Sequence, residues 1–202
     1  MVTKPFPYQM EGVEFIESHN GNALLGDEMG LGKTFQALYS LYRNPEWLPA
    51  LVICNAGLKF VWHDEAERHV GMRSYVCEGR KPPKDFARIL NEYQLIIINY
   101  EILWYWRECL LGAGFNILLI DECQNFANPR ARRTKAGRQI AQQIQRTIAM
   151  SGTAMLSRPI ELFTVLNMLW PDTFKSQWSF AQRYCEPKST IQISCCILIL
   201  YS

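Results

Sequence analysis

Four residues in the first quarter of the chain are spaced for anion chemistry: Gly30, Gly32, Lys33 and Thr34, within Ala23-Leu-Leu-Gly-Asp-Glu-Met-Gly-Leu-Gly-Lys-Thr34. An apolar run there enters a glycine-containing turn, and Gly-Lys-Thr then opens a segment with helical spacing. Glycines at 30 and 32 let the backbone approach a polyphosphate closely, and the helix start offers N–H groups without intrahelical partners. Lys33 is placed to reach β and γ phosphates, and Thr34 to hold Mg²⁺. The full strict pattern, G-x-x-x-x-G-K-[ST], is not met, because Asp27 stands at its first glycine. A nucleotide site of this kind also needs an acid at the end of a second buried strand. Ile117-Leu-Leu-Ile-Asp-Glu122 supplies it, with Asp121 for the metal and Glu122 as candidate base for an attacking water. Strand carboxyl ends share one edge of an open sheet, so the ends near residues 26 and 120 are expected side by side.

The elements that must position these residues are legible as an alternation. Short apolar runs at Ala23–Leu25, Leu51–Cys54, Leu95–Asn99, Ile117–Ile120 and Thr147–Met150 predict buried strands. Lys33–Arg43, Leu58–His69, Asp85–Glu92 and Ala131–Gln145 carry apolar residues at helical spacing between them. A leading helix is predicted over Tyr8–Ser18, closed off upstream by Pro5 and Pro7, and another over Arg158–Leu169, with Pro159 in its first turn and Trp170-Pro171 ending it. Buried strands alternating with helices imply an α/β fold: a mostly parallel sheet with helices on both faces.

Asp27-Glu28-Met29-Gly30-Leu31-Gly32-Lys33-Thr34 closely resembles motif I of the SNF2 family within superfamily 2 helicases, where an aspartate at that first position is usual. Further blocks follow in family order. Pro7-Tyr-Gln9 with Gly12-Val-Glu-Phe is similar to the Q-motif region; Leu51-Val-Ile-Cys with Leu58-Lys59, Trp62 and Glu65 resembles motif Ia; Asn99-Tyr-Glu-Ile resembles motif Ib. Asp121-Glu-Cys-Gln124 resembles the DEAH box, and Ser151-Gly-Thr153 with Arg158-Pro-Ile-Glu-Leu-Phe163 resembles motif III. The likeness spans about residues 5 to 187. The Ser-Arg-Pro-x-Glu-Leu-Phe and Arg-Arg-Thr-Lys-Ala stretches look nearest to the annealing-helicase branch.

The resemblance implies a RecA-like P-loop lobe over residues 1–187 that uses ATP and Mg²⁺. In it Gln9 would read adenine, and Gln124, Ser151 and Thr153 would couple the acid box to motif III. It implies non-sequence-specific double-stranded DNA as partner, with Lys59, Asn99, Arg130, Arg132, Arg133 and Lys135 as candidate phosphate contacts. Three departures stand out: Cys123-Gln124 replaces the usual Ala/Ser-His, Ala154 stands where proline is usual, and Ala127 where lysine is common. Glutamine keeps hydrogen-bonding capacity but cannot carry charge. No second Gly-rich or Arg-x-x-Arg lobe follows, so arginine fingers, worth about 10³ to 10⁵ in rate, would come from a second RecA-like lobe elsewhere. An isolated lobe is expected to bind ATP and turn it over slowly; the alternative is a truncated nucleotide- or DNA-binding module that regulates a full-length motor.

The remaining features bound the reading. The chain has 202 residues, 49% hydrophobic and 20% charged, with net charge +2. That balance fits one globular domain, and the charge total alone does not argue for nucleic acid. Five cations in Arg130-Ala-Arg-Arg-Thr-Lys-Ala-Gly-Arg138 are either a solvated helix face or a phosphate contact. Trp104-Tyr-Trp106 could stack on bases, but an aromatic cluster beside a buried strand is more often core. Seven cysteines without a C-x-x-C pair read as reduced, buried, inert thiols of an intracellular protein, cytoplasmic in a prokaryote or virus and nuclear in a eukaryote. His63, His69 and His19 lack metal-ligand spacing. No membrane-spanning run is present. The apolar tail, residues 188–202, departs in composition from what precedes it and reads as either a further strand or a truncation or frame scar.

Overall fold

The computed structural model describes residues 2–152 and 159–185. Its centre is a six-stranded sheet, parallel throughout, formed by β1 (Ala23–Leu25), β2 (Ala50–Cys54), β3 (Ser74–Val76), β4 (Leu95–Asn99), β5 (Ile117–Asp121) and β6 (Arg146–Met150). The spatial order is β1-β6-β5-β2-β4-β3. Every strand pair therefore requires a crossover, and the helices supply it. Those crossovers are α2 (Lys33–Arg43), α3 (Lys59–Glu65, continued by a π turn over Ala66–Val70), α4 (Phe86–Glu92), α5 (Tyr100–Leu111) and α6 (Arg132–Ala141). Before β1 runs α1 (Pro7–Ser18), with Pro7 at its first position, where a missing N–H costs nothing. After β6 a 3₁₀ turn over Pro159–Leu162 leads into α7 (Phe163–Leu169), and α8 (Gln177–Tyr184) follows.

Alternation along the central strands splits the core cleanly. Leu51, Ile53, Ile96, Ile98, Leu118 and Ile120 face one side, where α4 to α8 bury them. Ala50, Val52, Cys54, Leu95, Ile97, Ile117 and Leu119 face the other, packed under α1, α2 and α3. Because both faces are covered, these strands read as continuous apolar runs with no polar alternation. Burial on this scale, at about 25 cal/mol per Å² of apolar surface, is the main force closing the sheet.

Several expectations need correction. β3 was not foreseen, nor was α5, which starts on the residue after β4 with no loop between, nor α8. The aromatic trio lies on α5 and does not behave as one unit: Trp106 is fully buried, Trp104 half-buried, and Tyr105 43% exposed. The strand ends near residues 26 and 120 are not adjacent, since β6 lies between them; Met150 pairs with Leu25 on one side and Asp121 on the other. Among the described cysteines, Cys54, Cys77 and Cys123 are buried as expected, whereas Cys109 is half-buried and Cys185 exposed. No helix among the described residues is long and apolar enough to cross a membrane. The apolar tail lies outside the described residues.

Candidate nucleotide site

The loop between β1 and α2 is shaped by two glycines with left-handed backbone, Gly30 (φ 88°) and Gly32 (φ 75°). Gly32 is also the N-cap of α2 and brings no side chain to the cap, so the first N–H groups of an eleven-residue helix face outward at the loop. Lys33 turns back over the loop, and its amine donates to the carbonyls of Asp27 at 2.7 Å and Glu28 at 2.9 Å. Asp27, the residue that breaks the strict glycine pattern, has a structural role: its carboxylate accepts from the Gln36 amide of α2 at 3.2 Å. The same amide donates to the Leu31 carbonyl at 3.4 Å. Gln36 thus braces both ends of the loop, a role its position gave no signal for. Glu28, Met29, Gly30 and Leu31 form the exposed crest, while Lys33 and Thr34 are half-buried behind it.

Gln9 closes the loop from the α1 side. The Phe6 N–H donates to its side-chain oxygen at 3.0 Å, and its amide nitrogen lies 2.5 Å from where a Cβ on Gly32 would stand. Gly32 is therefore required twice, for its φ and for this approach. The segment ahead of α1 is strapped down by Thr3, whose N–H donates to the His69 carbonyl at 2.9 Å and whose hydroxyl meets the His69 ring at 2.9 Å.

The acid box assembles at the end of β5. Asp121 is partly withdrawn from water, and burial, with the neighbouring Glu122 charge, pushes its carboxyl above the ordinary aspartate value. Three influences oppose that shift: the Trp62 indole N–H, which donates to one carboxylate oxygen at 3.0 Å, a backbone hydrogen bond from Glu122, and the positive charge of Lys33. The Lys33 charge is therefore felt at Asp121 across β6. Glu122 sits in left-handed backbone (φ 52°, ψ 55°), uncommon for a residue with a Cβ. Its carbonyl is pinned by the Asn125 amide at 3.0 Å, and the Tyr100 hydroxyl donates to the Asp121 carbonyl at 2.6 Å. Burial raises the Tyr100 hydroxyl well above its ordinary value, so it remains a donor.

Motif III reaches this turn through one side chain. Gln124 donates through its amide to the Glu122 carboxylate at 2.6 Å and accepts from the Ser151 hydroxyl at 2.8 Å. The Ser151 N–H donates to the Leu25 carbonyl at 3.0 Å, tying the tip of β6 to the root of the phosphate loop. On the same strand tip, a Cβ on Gly152 would stand 2.7 Å from the Met29 side chain. A continuous polar path thus runs from the Leu25 carbonyl at the root of the β1–α2 loop through Ser151 and Gln124 to Glu122. The glutamine that departs from the usual histidine is the residue making this link. Thr153, Ala154 and Arg158 lie outside the described residues.

The expected DNA contacts divide. Arg130 is exposed just ahead of α6 and Arg132, Arg133 and Lys135 are exposed on its first turn, and the Arg133 side chain donates to the Asn125 carbonyl at 2.8 Å. Lys59 and Asn99 are instead buried: the Lys59 amine donates inward to the Cys77 carbonyl at 2.7 Å, and the Asn99 amide donates to Glu101. Neither presents a group to an external phosphate in this structure. Trp62, Tyr100, Gln36 and Asn125 hold the acid box and loop in place without having been assigned such roles. The first two lie within the Ia- and Ib-like blocks, so their neighbourhood was a signal although their partners were not.

Comparison with known proteins agrees with this arrangement. The SNF2-related domain family matches residues 8–196. The chain is 32% identical over 189 residues to a Caenorhabditis elegans SWI/SNF-related matrix-associated actin-dependent regulator of chromatin subfamily A-like protein 1 homolog, covering 93% of this chain and 27% of that protein. It is 30% identical over 187 residues to human DNA annealing helicase and endonuclease ZRANB3, covering 91% of this chain and 17% of that protein. The chain thus spans about a quarter or less of the length of these relatives. Among solved structures, the Sulfolobus solfataricus SWI2/SNF2 ATPase core in complex with dsDNA superposes with TM-score 0.75 and 26% identity, over 91% of this chain and 41% of that one. Fold, loop, acid box and sequence match together place the chain in the SNF2-related domain family.

Proposed function

We propose that this chain is the ATP-binding lobe of a DNA-dependent ATPase, one that moves on or remodels duplex DNA when completed by a second RecA-like lobe. The observation that carries the reading is the convergence of Lys33, Asp121, Glu122, Gln124 and Ser151 at one edge of the sheet. The residues fit Mg-ATP. The loop offers outward N–H groups and a lysine that, among the described residues, is held by the carbonyls of Asp27 and Glu28, and Asp121 brings a carboxylate to the same edge of the sheet. Mg²⁺ is usually held by one or two carboxylates plus phosphate oxygens, without an all-protein cage. When bound, the ion neutralises phosphate charge and polarises the transferring group. Lys33 and Thr34 would grip the phosphates and the metal shell, Asp121 would hold the metal, Glu122 would align water, and Gln9, against the loop at Gly32, would read the adenine. Gln124 and Ser151, with Thr153, report phosphate state from the loop to the acid box.

Among the described residues, Lys33 is the cation whose charge reaches Asp121. Charge that develops in the transition state needs further cations, and in this reading they arrive from the second lobe, so turnover by this lobe alone is slow. Arg130, Arg132, Arg133 and Lys135 contact the DNA backbone, in keeping with the double-stranded DNA named for the Sulfolobus neighbour. Phosphate contacts position without reading sequence, which suits a motor that must slide. In a eukaryotic cell such an activity is nuclear, as befits relatives named for chromatin regulation and DNA annealing.

The experiment is equilibrium binding of a fluorescent ATP analogue with Mg²⁺ to the chain and to Lys33→Ala, with thermal melting to check folding. Loss of hydrogen bonds from a charged donor, worth about 1.5–3 kcal/mol, is expected to weaken binding roughly 10- to 100-fold. Undiminished binding by folded Lys33→Ala overturns the phosphate assignment. Steady-state hydrolysis with and without duplex DNA then tests the slow-turnover expectation.

A further inference from the structure

Helix α5 carries an exposed aromatic edge that the nucleotide site does not use. Trp104 and Tyr105 line an open groove of about 250 Å³, whose far wall is the start of α6 with Arg132 and Arg133. Basic residues approach the rings from three places in the sequence. The Arg107 guanidinium lies 4.0 Å from the centre of the Trp104 ring, Arg132 approaches that ring to 6.0 Å, and Arg80 stands 5.0 Å from the Tyr105 ring. Arg80 comes from the loop ahead of α4, which is fixed to α5 by the Trp106 indole N–H donating to the Gly79 carbonyl at 2.9 Å. Of these cations only Arg107 forms an ion pair among the described residues, with Glu108. Glu101 also lines the groove, but its carboxylate is engaged by the Asn99 amide.

Rings flanked by guanidinium groups suit a ligand that brings planar bases and phosphates together. A duplex buries its bases in the stack and offers such rings nothing. An acidic peptide would be served by the arginines without any ring. An unpaired strand uses both, because every base has a face to stack and every linkage a charge to neutralise. We propose that this groove binds an unpaired nucleotide of single-stranded DNA, with its base against Tyr105 and Trp104 and its phosphates on Arg132 and Arg133. The inference rests on the DNA reading of the basic run given above and is independent of the ATP site.

The test uses the full chain and a fluorescein-labelled oligo-dT of roughly 12 nucleotides, within the site sizes of single-strand binders, beside a blunt duplex with the same number of phosphates. Anisotropy is followed without ATP. Tyr105 is exposed, so Tyr105→Ala should fold normally. It is expected to weaken oligo-dT binding at least about fivefold, the low end of one lost base stack, while leaving duplex binding unchanged. Tyr105→Phe keeps the ring and should bind as the parent does, and Trp104→Leu should reproduce the Ala effect. Arg132→Ala and Arg133→Ala should weaken both ligands. The proposal is overturned if Tyr105→Ala changes nothing, if it weakens duplex and oligo-dT equally, or if the parent binds duplex but not oligo-dT. Displacement of oligo-dT by poly-glutamate as readily as by unlabelled oligo-dT would reassign the groove to acidic peptides. Should the parent bind neither DNA, the DNA reading of the basic run fails as well, and the ATP reading stands untouched.

Discussion

Gln124→Ala removes the bridge between motif III and the acid box, and its cost can be worked from two distances. The amide bond to the Glu122 carboxylate, 2.6 Å, is charge-assisted, and such bonds contribute about 1.5–3 kcal/mol. The Ser151 bond, 2.8 Å, joins neutral groups and contributes about 0.5–1.5 kcal/mol. Gln124 and Glu122 are half-buried, so water replaces part of each bond and the lower ends apply, giving about 2 kcal/mol of lost stability. Urea unfolding of Gln124→Ala, Ser151→Ala, Glu122→Gln and the paired variants isolates each link. A coupling of about 0.5–1 kcal/mol is expected for Gln124 with Ser151, and a larger one for Gln124 with Glu122. Gln124→Glu supplies a sign test, because two carboxylates at that spacing cannot both ionise. Its destabilisation should be largest at neutral pH and relieved on acidification. Additivity in both cycles, or a Gln124→Glu variant indifferent to pH, would refute the bridge. If the bridge holds, Gln124→Ala should also lower ATP turnover more than ATP affinity.

Two further outcomes follow from burial. Asp121 has a carboxyl raised above its ordinary value chiefly by burial, so its ionised form costs folding stability. Asp121→Asn should therefore melt higher than the parent at neutral pH, with the advantage vanishing as pH falls through the raised value toward that of a free aspartate, while Mg²⁺-dependent nucleotide binding is lost; a lower melting point at neutral pH would contradict this. At Gly137 of α6, an added Cβ would stand 2.6 Å from the ring of buried Phe126. Gly137→Ala should lower stability in urea by about 1–2 kcal/mol, overpacking of about 1–3 kcal/mol outweighing a helix-propensity gain of under about 1 kcal/mol, and unchanged stability would show that the ring has room to move.

The glycine loop and acid box were legible as a candidate site because their residues are contiguous: glycines, lysine and threonine fall together, and Asp121-Glu122 ends an apolar run. β2, β4 and β5 were legible because burial on both faces leaves no polar residue in them before the carboxyl-end Asn99 of β4 and Asp121 of β5. β3 was hidden, being three residues of which only Val76 is aliphatic, at the sheet edge. α5 was hidden for another reason: its apolar residues follow β4 without a break, so strand and helix merge into one run. Lys59 was misplaced since its partner, the Cys77 carbonyl, is eighteen residues away in sequence and becomes a neighbour only after β3 docks. A long lysine stem readily crosses apolar surface to reach such an oxygen. Strand order is likewise absent from local pattern, which is why β6 was not foreseen between the two halves of the site.

That intervening strand decides how the charges of the site are spaced. Neighbouring strands lie about 4.8 Å apart, so a strand interposed between β1 and β5 sets their backbones roughly 9–10 Å from one another. Lys33 and Asp121 form no ion pair among the described residues, and the amine settles on carbonyls of its own loop. Opposite charges that would otherwise neutralise each other are kept apart by a spacer woven into the sheet.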